Sequence, residues 1–276
     1  MLGAPMPRAN RYIVEGHAYH ITHRCHDRSF LLRFGLDRDE YRRRLRAELK
    51  GSGVWLLAYC ITSNHVHMLV TARTLERLSR FMQKLQGEFA EWYNVRRKRS
   101  NAFWGDRYHC TMIESGTHLW NCMAYIDLNM VRAGEVKHPR EWRWGGYDEL
   151  VGERTRHTVL DMGRVLEAAG AGSRDEFVRD YGAAIEEMLG RGDAGRQPHW
   201  TESIAVGSRE YVTGISERIG GRTRIKFREV VDGAWSVREP GAASGADATE
   251  DAEQPYGRFR GTKIERKRGF WRLDWA

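Results

Sequence analysis

The 276-residue sequence contains only four cysteines, and no two of them have Cys-x-x-Cys spacing. It therefore lacks the pattern of a zinc knuckle or a dithiol redox motif, and we expect four reduced thiols. It also lacks an apolar run of about 18 residues, which argues against a membrane-spanning helix. Residues 1–12 contain no apolar signal core. We therefore expect a cytoplasmic protein that is not attached to a membrane.

Negative charge is scarce in the first half of the chain. Residues 1–150 hold 24 Lys+Arg and 16 Asp+Glu, whereas the remaining residues hold 21 of each. The formal net charge of +8 therefore comes from the first half. A basic domain suits a polyanionic partner, so we expect phosphate binding mainly within residues 1–150. The hydrophobic content of 41% is sufficient for a sizeable core.

The apolar pattern of the first half predicts alternating strands and helices. Strands are expected at residues 18–24, 54–62 and 65–71, with a further strand that ends at residue 113. Asp37 is a candidate cap for a helix that reaches about residue 50, and apolar residues at steps of three and four predict a helix of about 20 residues from Leu75. Thr117 is a candidate cap for a helix that ends at Gly134. This order predicts an α+β fold with a mostly antiparallel sheet and packed helices.

The second half of the chain has a different pattern of residue types. We expect a domain at residues 1–150, followed by a mostly helical extension at 151–240 with short glycine-rich joints. Residues 241–254 are small and acidic, which is typical of a flexible linker. The basic and aromatic tail at 256–276 is either a nucleic-acid contact or a disordered end.

Two histidines flank one apolar residue in the strand-like run at 64–70 (NHVHMLV). Because side chains alternate across a strand, His65 and His67 should lie on one face and Val66 on the other. Two imidazoles side by side form half of a divalent-metal site. A lone His-x-His pair is more often structural, so the metal interpretation depends on what lies beside it.

The predicted helix at 117–134 supplies the remaining groups. Tyr125 and Asn129 are four residues apart, which places a phenol and an amide on one helical face. If this face lies beside His65 and His67, two imidazole nitrogens and one amide oxygen could bind Mg²⁺ or Mn²⁺. Tyr125 could then attack a phosphodiester as a nucleophile.

Other residues compete for these roles. Tyr93 flanks an apolar stripe of its predicted helix and is expected to pack in the core. Tyr108 lies on a predicted strand and has no candidate metal ligand four residues away on a helix, so it is a weaker candidate for the nucleophile. Asp127 points away from Tyr125 on an ideal helix and is not expected to act as a base. His20, His23 and His26 could form a second metal cluster, but core or DNA-facing roles are favoured.

Five segments of the chain resemble the REP-associated tyrosine transposases, within the single-tyrosine HUH transposases. These are residues 19–24 (YHITHR), 64–67 (NHVH), 103–108 (FWGDRY), 125–134 (YIDLNMVRAG) and 144–147 (WGGY), so that the resemblance covers roughly residues 8–150. It implies a ferredoxin-like α+β fold that cuts single-stranded DNA through a 5′-phosphotyrosine intermediate and leaves a free 3′-OH. It also implies that His65, His67 and Asn129 are metal ligands and that Tyr125 is the nucleophile. Met130 departs from the family, which usually has proline there.

Basic and aromatic residues near this set are candidates for contact with DNA phosphates and bases. The candidates are Arg96, Arg97, Lys98, Arg99, Trp104, Arg107 and Arg132. The basic run at 96–99 could instead be a solvated helix end. We therefore weigh a metal-dependent nuclease and strand transferase against a binder that holds structured DNA or RNA without cutting it. The expected partner is single-stranded or hairpin DNA, and the expected state is a monomer, with a dimer as the alternative.

Overall fold

The computed structural model describes residues 13–191, 197–219, 225–231 and 233–238, and the backbone of two strands at 262–267 and 270–275. The first half contains strands β1 (Ala18–Arg24), β2 (Val54–Ile61), β3 (His65–Ala72) and β4 (His109–Ile113), and helices α1 (Gly35–Leu49), α2 (Leu75–Arg97) and α3 (Thr117–Asp127). The four strands lie in the order β2-β3-β1-β4, and all neighbours are antiparallel. This confirms the ferredoxin-like α+β arrangement expected from the sequence.

The second half contributes helices and, unexpectedly, three strands of the same sheet. Helices α4 (Asn129–Arg132) and α5 (Tyr147–Leu150) still belong to the first half. The second half holds helices α6 (Met162–Ala169), α7 (Arg174–Arg191), α8 (His199–Glu202) and α9 (Arg209–Arg218), and strands β5 (Ala205–Gly207), β6 (Lys226–Val231) and β7 (Ala234–Arg238). Strand β5 pairs with β4 in parallel, and the sheet continues in the order β5-β7-β6. The extension is therefore part of the main sheet rather than only helical.

The last two strands, β8 (Thr262–Lys267) and β9 (Phe270–Trp275), pair with each other in a separate sheet. The predicted linker at 241–254 lies outside the described residues, as do the side chains of the basic tail. Within the described ranges, every helix is too short or too polar to span a lipid bilayer. All four cysteines are buried thiols that form no disulfide with one another.

The two faces of the main sheet bury two separate cores. Val66, Met68 and Val70 of β3 pack into the core that contains α1 and α2. Leu69 points to the other face of β3 and packs into the core that contains α3, α6 and α7. Alternation along β3 therefore directs His65 and His67 to the face that carries α3.

Two predicted helix boundaries were wrong. Helix α1 begins at Gly35 after Phe34, and Asp37 lies buried in its first turn, where its carboxylate bonds to Arg96 and Arg97 rather than capping the helix. The helix predicted at 117–134 is interrupted at Leu128, which separates α3 from α4. Just before this break, the carbonyl oxygen of Tyr125 accepts a hydrogen bond from the guanidinium of Arg132.

Candidate metal and tyrosine site

The two histidines of β3 lie together on the α3 face of the sheet. Their ring centroids are 4.7 Å apart, and the rings are nearly perpendicular. His67 is buried, whereas His65 is partly exposed. The alternation predicted from the sequence therefore places both imidazoles at one point of the sheet.

The Nδ1 atom of each imidazole is engaged in a hydrogen bond within the protein. Nδ1 of His65 donates to the amide oxygen of Asn64 at 2.6 Å, which leaves the lone pair on Nε2. Nδ1 of His67 lies 2.9 Å from Nε2 of His20, and Nδ1 of His20 lies 2.9 Å from the carbonyl oxygen of Trp200. Burial lowers the pKa of both His65 and His67, which favours the neutral, metal-binding form near pH 7.

Asn129 lies beside the histidine pair, as predicted. Its Nδ2 atom is 3.1 Å from Nε2 of His67. Two neighbouring ligands of an octahedral ion with bonds of about 2.1 Å are about 3.0 Å apart, so this separation fits one shared ion after the amide turns its oxygen inward. No group of three or more His, Cys, Asp or Glu side chains is arranged to hold a metal within the described part of the chain. The candidate set is therefore two imidazoles and one amide.

Tyr125 lies on the same side of the sheet as the histidines. Its ring centroid is 6.0 Å from that of His67 and 6.0 Å from that of His20, and the side chain is 8% exposed. The guanidinium carbon of Arg132 lies 4.0 Å from the centre of the Tyr125 ring. A positive charge is thus held against the face of the Tyr125 ring.

Asp127 faces away from this group, as the helical geometry predicted. Its Oδ2 atom accepts a hydrogen bond of 2.6 Å from the hydroxyl of Tyr181 on α7. Burial raises the pKa of the Asp127 carboxyl to about 7. Met130, at the position where the family usually has proline, is buried against the same core as α3 and does not enter the site.

The structure distributes the predicted DNA-contact residues unevenly. Arg96 and Arg97 both pair with the buried carboxylate of Asp37, so one negative charge already offsets part of their combined positive charge. Lys98 ends α2 in a left-handed conformation, and the guanidinium of Arg99 lies 5.7 Å from the Tyr93 ring centre. Contact of these four basic residues with DNA stays a prediction.

Trp104 is partly buried and has partners inside the protein. Its ring stacks on His23 with centroids 4.2 Å apart, and its indole N–H donates to the carbonyl oxygen of Gln86 at 3.0 Å. These contacts leave it less free to stack on a base than the sequence suggested. Tyr93 packs in the core, edge-on to Phe103, as expected.

Two residues near the site were not assigned to it from the sequence. His20 was expected in a core or DNA-facing role, yet it contacts His67 directly. Alternation along β1 could have placed His20 on the face of His67, because β1 and β3 are neighbours. Arg24 is paired in register with His65 at the same end of the sheet, and its side chain is exposed.

These features describe an α+β domain with a histidine pair and an asparagine beside a helical tyrosine. Residues 13–129 match the family model described as transposase, IS200-like, and Asn129 is the last residue matched. This segment is therefore similar to the IS200-like transposases, in agreement with the resemblance found in the sequence. The match indicates a transposase-like function in DNA processing.

Two solved structures are similar to this chain at low identity. One is a REP-associated tyrosine transposase bound to a REP hairpin, which is 19% identical over 56% of this chain and 94% of its own, with a TM-score of 0.46. The other, from Deinococcus radiodurans R1 and classed as a transposase, is 16% identical over 47% of this chain and 98% of its own, with a TM-score of 0.32. No match was found among the curated proteins.

Proposed function

We propose that this protein is a metal-dependent endonuclease and strand transferase that acts on single-stranded DNA with Tyr125 as its nucleophile. The proposal rests above all on one observation. Nδ2 of Asn129 lies 3.1 Å from Nε2 of His67, although the two residues are 62 positions apart in the sequence. The ring centre of Tyr125 lies 6.0 Å from that of His67. A phenol beside a set of nitrogen and oxygen ligands is suited to phosphodiester transfer.

Nε2 of His65, Nε2 of His67 and the amide oxygen of Asn129 would hold the ion, for which Mg²⁺ or Mn²⁺ is the best fit. When bound, such an ion polarises the phosphate and stabilises the charge that develops on it. The Tyr125 oxygen forms a bond to phosphorus, and the phenol proton passes to water. The bond from phosphorus to the 3′ oxygen breaks, and that oxygen takes up a proton, which leaves a free 3′-OH and a 5′-phosphotyrosine.

The direct test is covalent trapping. The protein is incubated with single-stranded hairpin DNA and Mn²⁺ or Mg²⁺ and analysed on a denaturing gel. We expect a protein–DNA adduct that Tyr125→Phe abolishes and that Tyr93→Phe, which removes the hydroxyl of a core tyrosine, retains. An adduct formed by Tyr125→Phe would refute the nucleophile assignment. Tight binding without cleavage across a broad panel of oligonucleotides would favour the non-cleaving binder.

Phosphate contacts are also proposed for the basic residues of this region, which are Arg96, Arg97, Lys98, Arg99, Arg107 and Arg132. Each lost phosphate contact should reduce the slope of log affinity against log salt by about 1. The measurement is fluorescence anisotropy of a labelled hairpin at several salt concentrations. Alanine at Arg107 should lower this slope, whereas alanine at Arg179, an exposed arginine paired with Asp180 on α7, should not.

A further inference from the structure

We propose that His20, oriented by the backbone carbonyl of Trp200, is a positioning residue that fixes which nitrogen of His67 carries the proton. Its effect is to keep the lone pair of His67 on Nε2, where the candidate ion would bind. This inference deepens the proposed function by assigning a role in the site to a segment outside the family match at 13–129. The hydrogen-bonded series of Trp200, His20 and His67 is called the histidine relay below.

The relay begins at a group whose hydrogen-bonding role is unambiguous. The carbonyl oxygen of Trp200 can only accept, so Nδ1 of His20, at 2.9 Å, must carry the hydrogen. His20 is fully buried, and neither of its two hydrogen-bond partners is a carboxylate that would stabilise a second proton on the ring, so the ring holds only one proton. Nε2 of His20 is therefore an acceptor.

The next step passes from β1 to β3. Nε2 of His20 lies 2.9 Å from Nδ1 of His67, and an accepting nitrogen requires a donor at that distance. Nδ1 of His67 is consequently protonated, and its lone pair resides on Nε2. Fixing the tautomer of a ligating histidine through its second nitrogen is a common function of the residues around a metal.

The far end of the relay agrees with this assignment. Nδ2 of Asn129, an amide N–H₂ that can only donate, lies 3.1 Å from Nε2 of His67. The amide N–H₂ thus donates to the lone pair on Nε2 of His67. When the ion binds, the same amide need only turn its oxygen inward.

The segment that carries Trp200 is tied firmly to the sheet. The carbonyl oxygen of Ser203 accepts a hydrogen bond of 2.7 Å from the hydroxyl of Thr111 on β4. The amide of Met112 on β4 donates to Ile204 at 2.8 Å, and β5 follows directly. The Trp200 ring also lies 6.3 Å from that of Tyr125, centre to centre. The relay therefore starts from a fixed backbone position, which an exposed loop would not provide.

The first test reads the tautomer directly in the metal-free protein. Nitrogen-15 NMR of labelled histidines should show His67 with a protonated Nδ1 and a bare Nε2. His20→Ala should give a mixture of the two tautomers, whereas His20→Gln, whose amide oxygen can accept from Nδ1, should restore the single form. A protonated Nε2 on His67 in the unaltered protein would overturn the proposal without any variant.

The second test measures Mn²⁺ binding by electron paramagnetic resonance. Loss of such a partner typically weakens metal affinity by 10- to 100-fold, so we expect that loss in His20→Ala and its substantial recovery in His20→Gln. His23→Gln is the matched control, because His23 is a buried histidine of the same strand that stacks on Trp104 instead. Unchanged affinity and an unchanged tautomer in His20→Ala would refute the relay. Absence of Mn²⁺ binding by the unaltered protein would instead refute the metal site of the proposed function, while the tautomer measurement would still test the relay.

Discussion

Asn129 reaches His67 across the gap between α4 and β3, with 3.1 Å between the amide nitrogen and Nε2. The hydrogen bond joins the two parts of the candidate ligand set. An asparagine at this position offers both an N–H₂ that donates to the imidazole and an amide oxygen that becomes a candidate ligand after a rotation.

Substitution of Asn129 should therefore change Mn²⁺ affinity in opposite directions. Asn129→Ala removes one ligand and should weaken binding by about tenfold, which is about 1.4 kcal/mol. Asn129→Asp places a carboxylate there and should strengthen binding, because hard divalent ions prefer charged oxygen ligands. Titration by electron paramagnetic resonance measures both changes. Asn101→Ala, at an exposed asparagine, serves as the control, and equal effects of the alanine and aspartate variants would contradict the assignment.

The histidine pair should govern the metal dependence of cleavage. His65→Ala and His67→Ala each remove one nitrogen ligand, so we expect the adduct on a denaturing gel to disappear or to require far more Mn²⁺. The affinity for uncleaved hairpin DNA should change little, because phosphate contacts dominate it. His157→Ala, at an exposed histidine, should cleave normally. Cleavage by His67→Ala at unchanged Mn²⁺ concentration would rule out the proposed ligand role.

The pairing of Asp37 with two arginines should matter for stability. Asp37→Ala removes the buried carboxylate that Arg96 and Arg97 share. Because these arginines are 29% and 32% exposed and can be hydrated after the loss, we expect a cost of about 1–3 kcal/mol. Asp39→Ala is the matched control, because Asp39 pairs with Arg143 at the surface, where such pairs contribute about 0–1 kcal/mol. Urea unfolding followed by circular dichroism compares the two. A similar decrease in the free energy of unfolding of both variants would show that the buried pair stabilises the protein no more than the surface pair does.

Asp127 should make stability depend on pH. Burial raises the pKa of this carboxyl in the folded state to about 7, so the folded protein holds the proton more tightly than the unfolded chain does. The resulting stabilisation is complete below about pH 4 and is lost as the pH rises through about 7. In Asp127→Asn this stabilisation does not change with pH, because the amide does not titrate. The amide oxygen can still accept a hydrogen bond from the hydroxyl of Tyr181.

The free energy of unfolding of Asp127→Asn, relative to the unaltered protein, should therefore rise between pH 4 and pH 7. The expected gain is on the order of a few kcal/mol. Urea unfolding at a series of pH values gives the curve, and Asp175→Asn, at an exposed aspartate of α7, should follow the unaltered protein. A difference that does not vary with pH would contradict the assignment.

Periodicity predicted the part of the site that depends on regular geometry. Alternation along β3 placed His65 and His67 on one face, and helical spacing placed Tyr125 near Asn129 despite the interruption at Leu128. The contact of His20 with Trp200 joins residues 180 positions apart through a backbone carbonyl, which any residue type provides. No pattern of side chains could therefore predict it.

Other features escaped prediction for similar reasons. Strand β5 has three residues, too few for a periodic signal, and its place in the sheet depends on pairing with β4. The pairing of Arg96 and Arg97 with Asp37 was not predicted, because Asp37 belongs to a different helix, far away in the sequence. In both cases the missing information was a long-range contact.

The way in which β5, β7 and β6 extend the sheet also affects how the protein avoids self-association. An unpaired strand edge is a template for strand addition by another molecule and for aggregation. The β4 edge is occupied by β5, and the β2 edge is bonded to the backbone around residues 144–146 and at Asp161. The remaining outer strand of this sheet, β6, is exposed, carries Lys226, Arg228 and Glu229, and has a register shift after Glu229. In the part of the chain that the structure describes, a second molecule would thus find no flat, uncharged edge of the main sheet to extend.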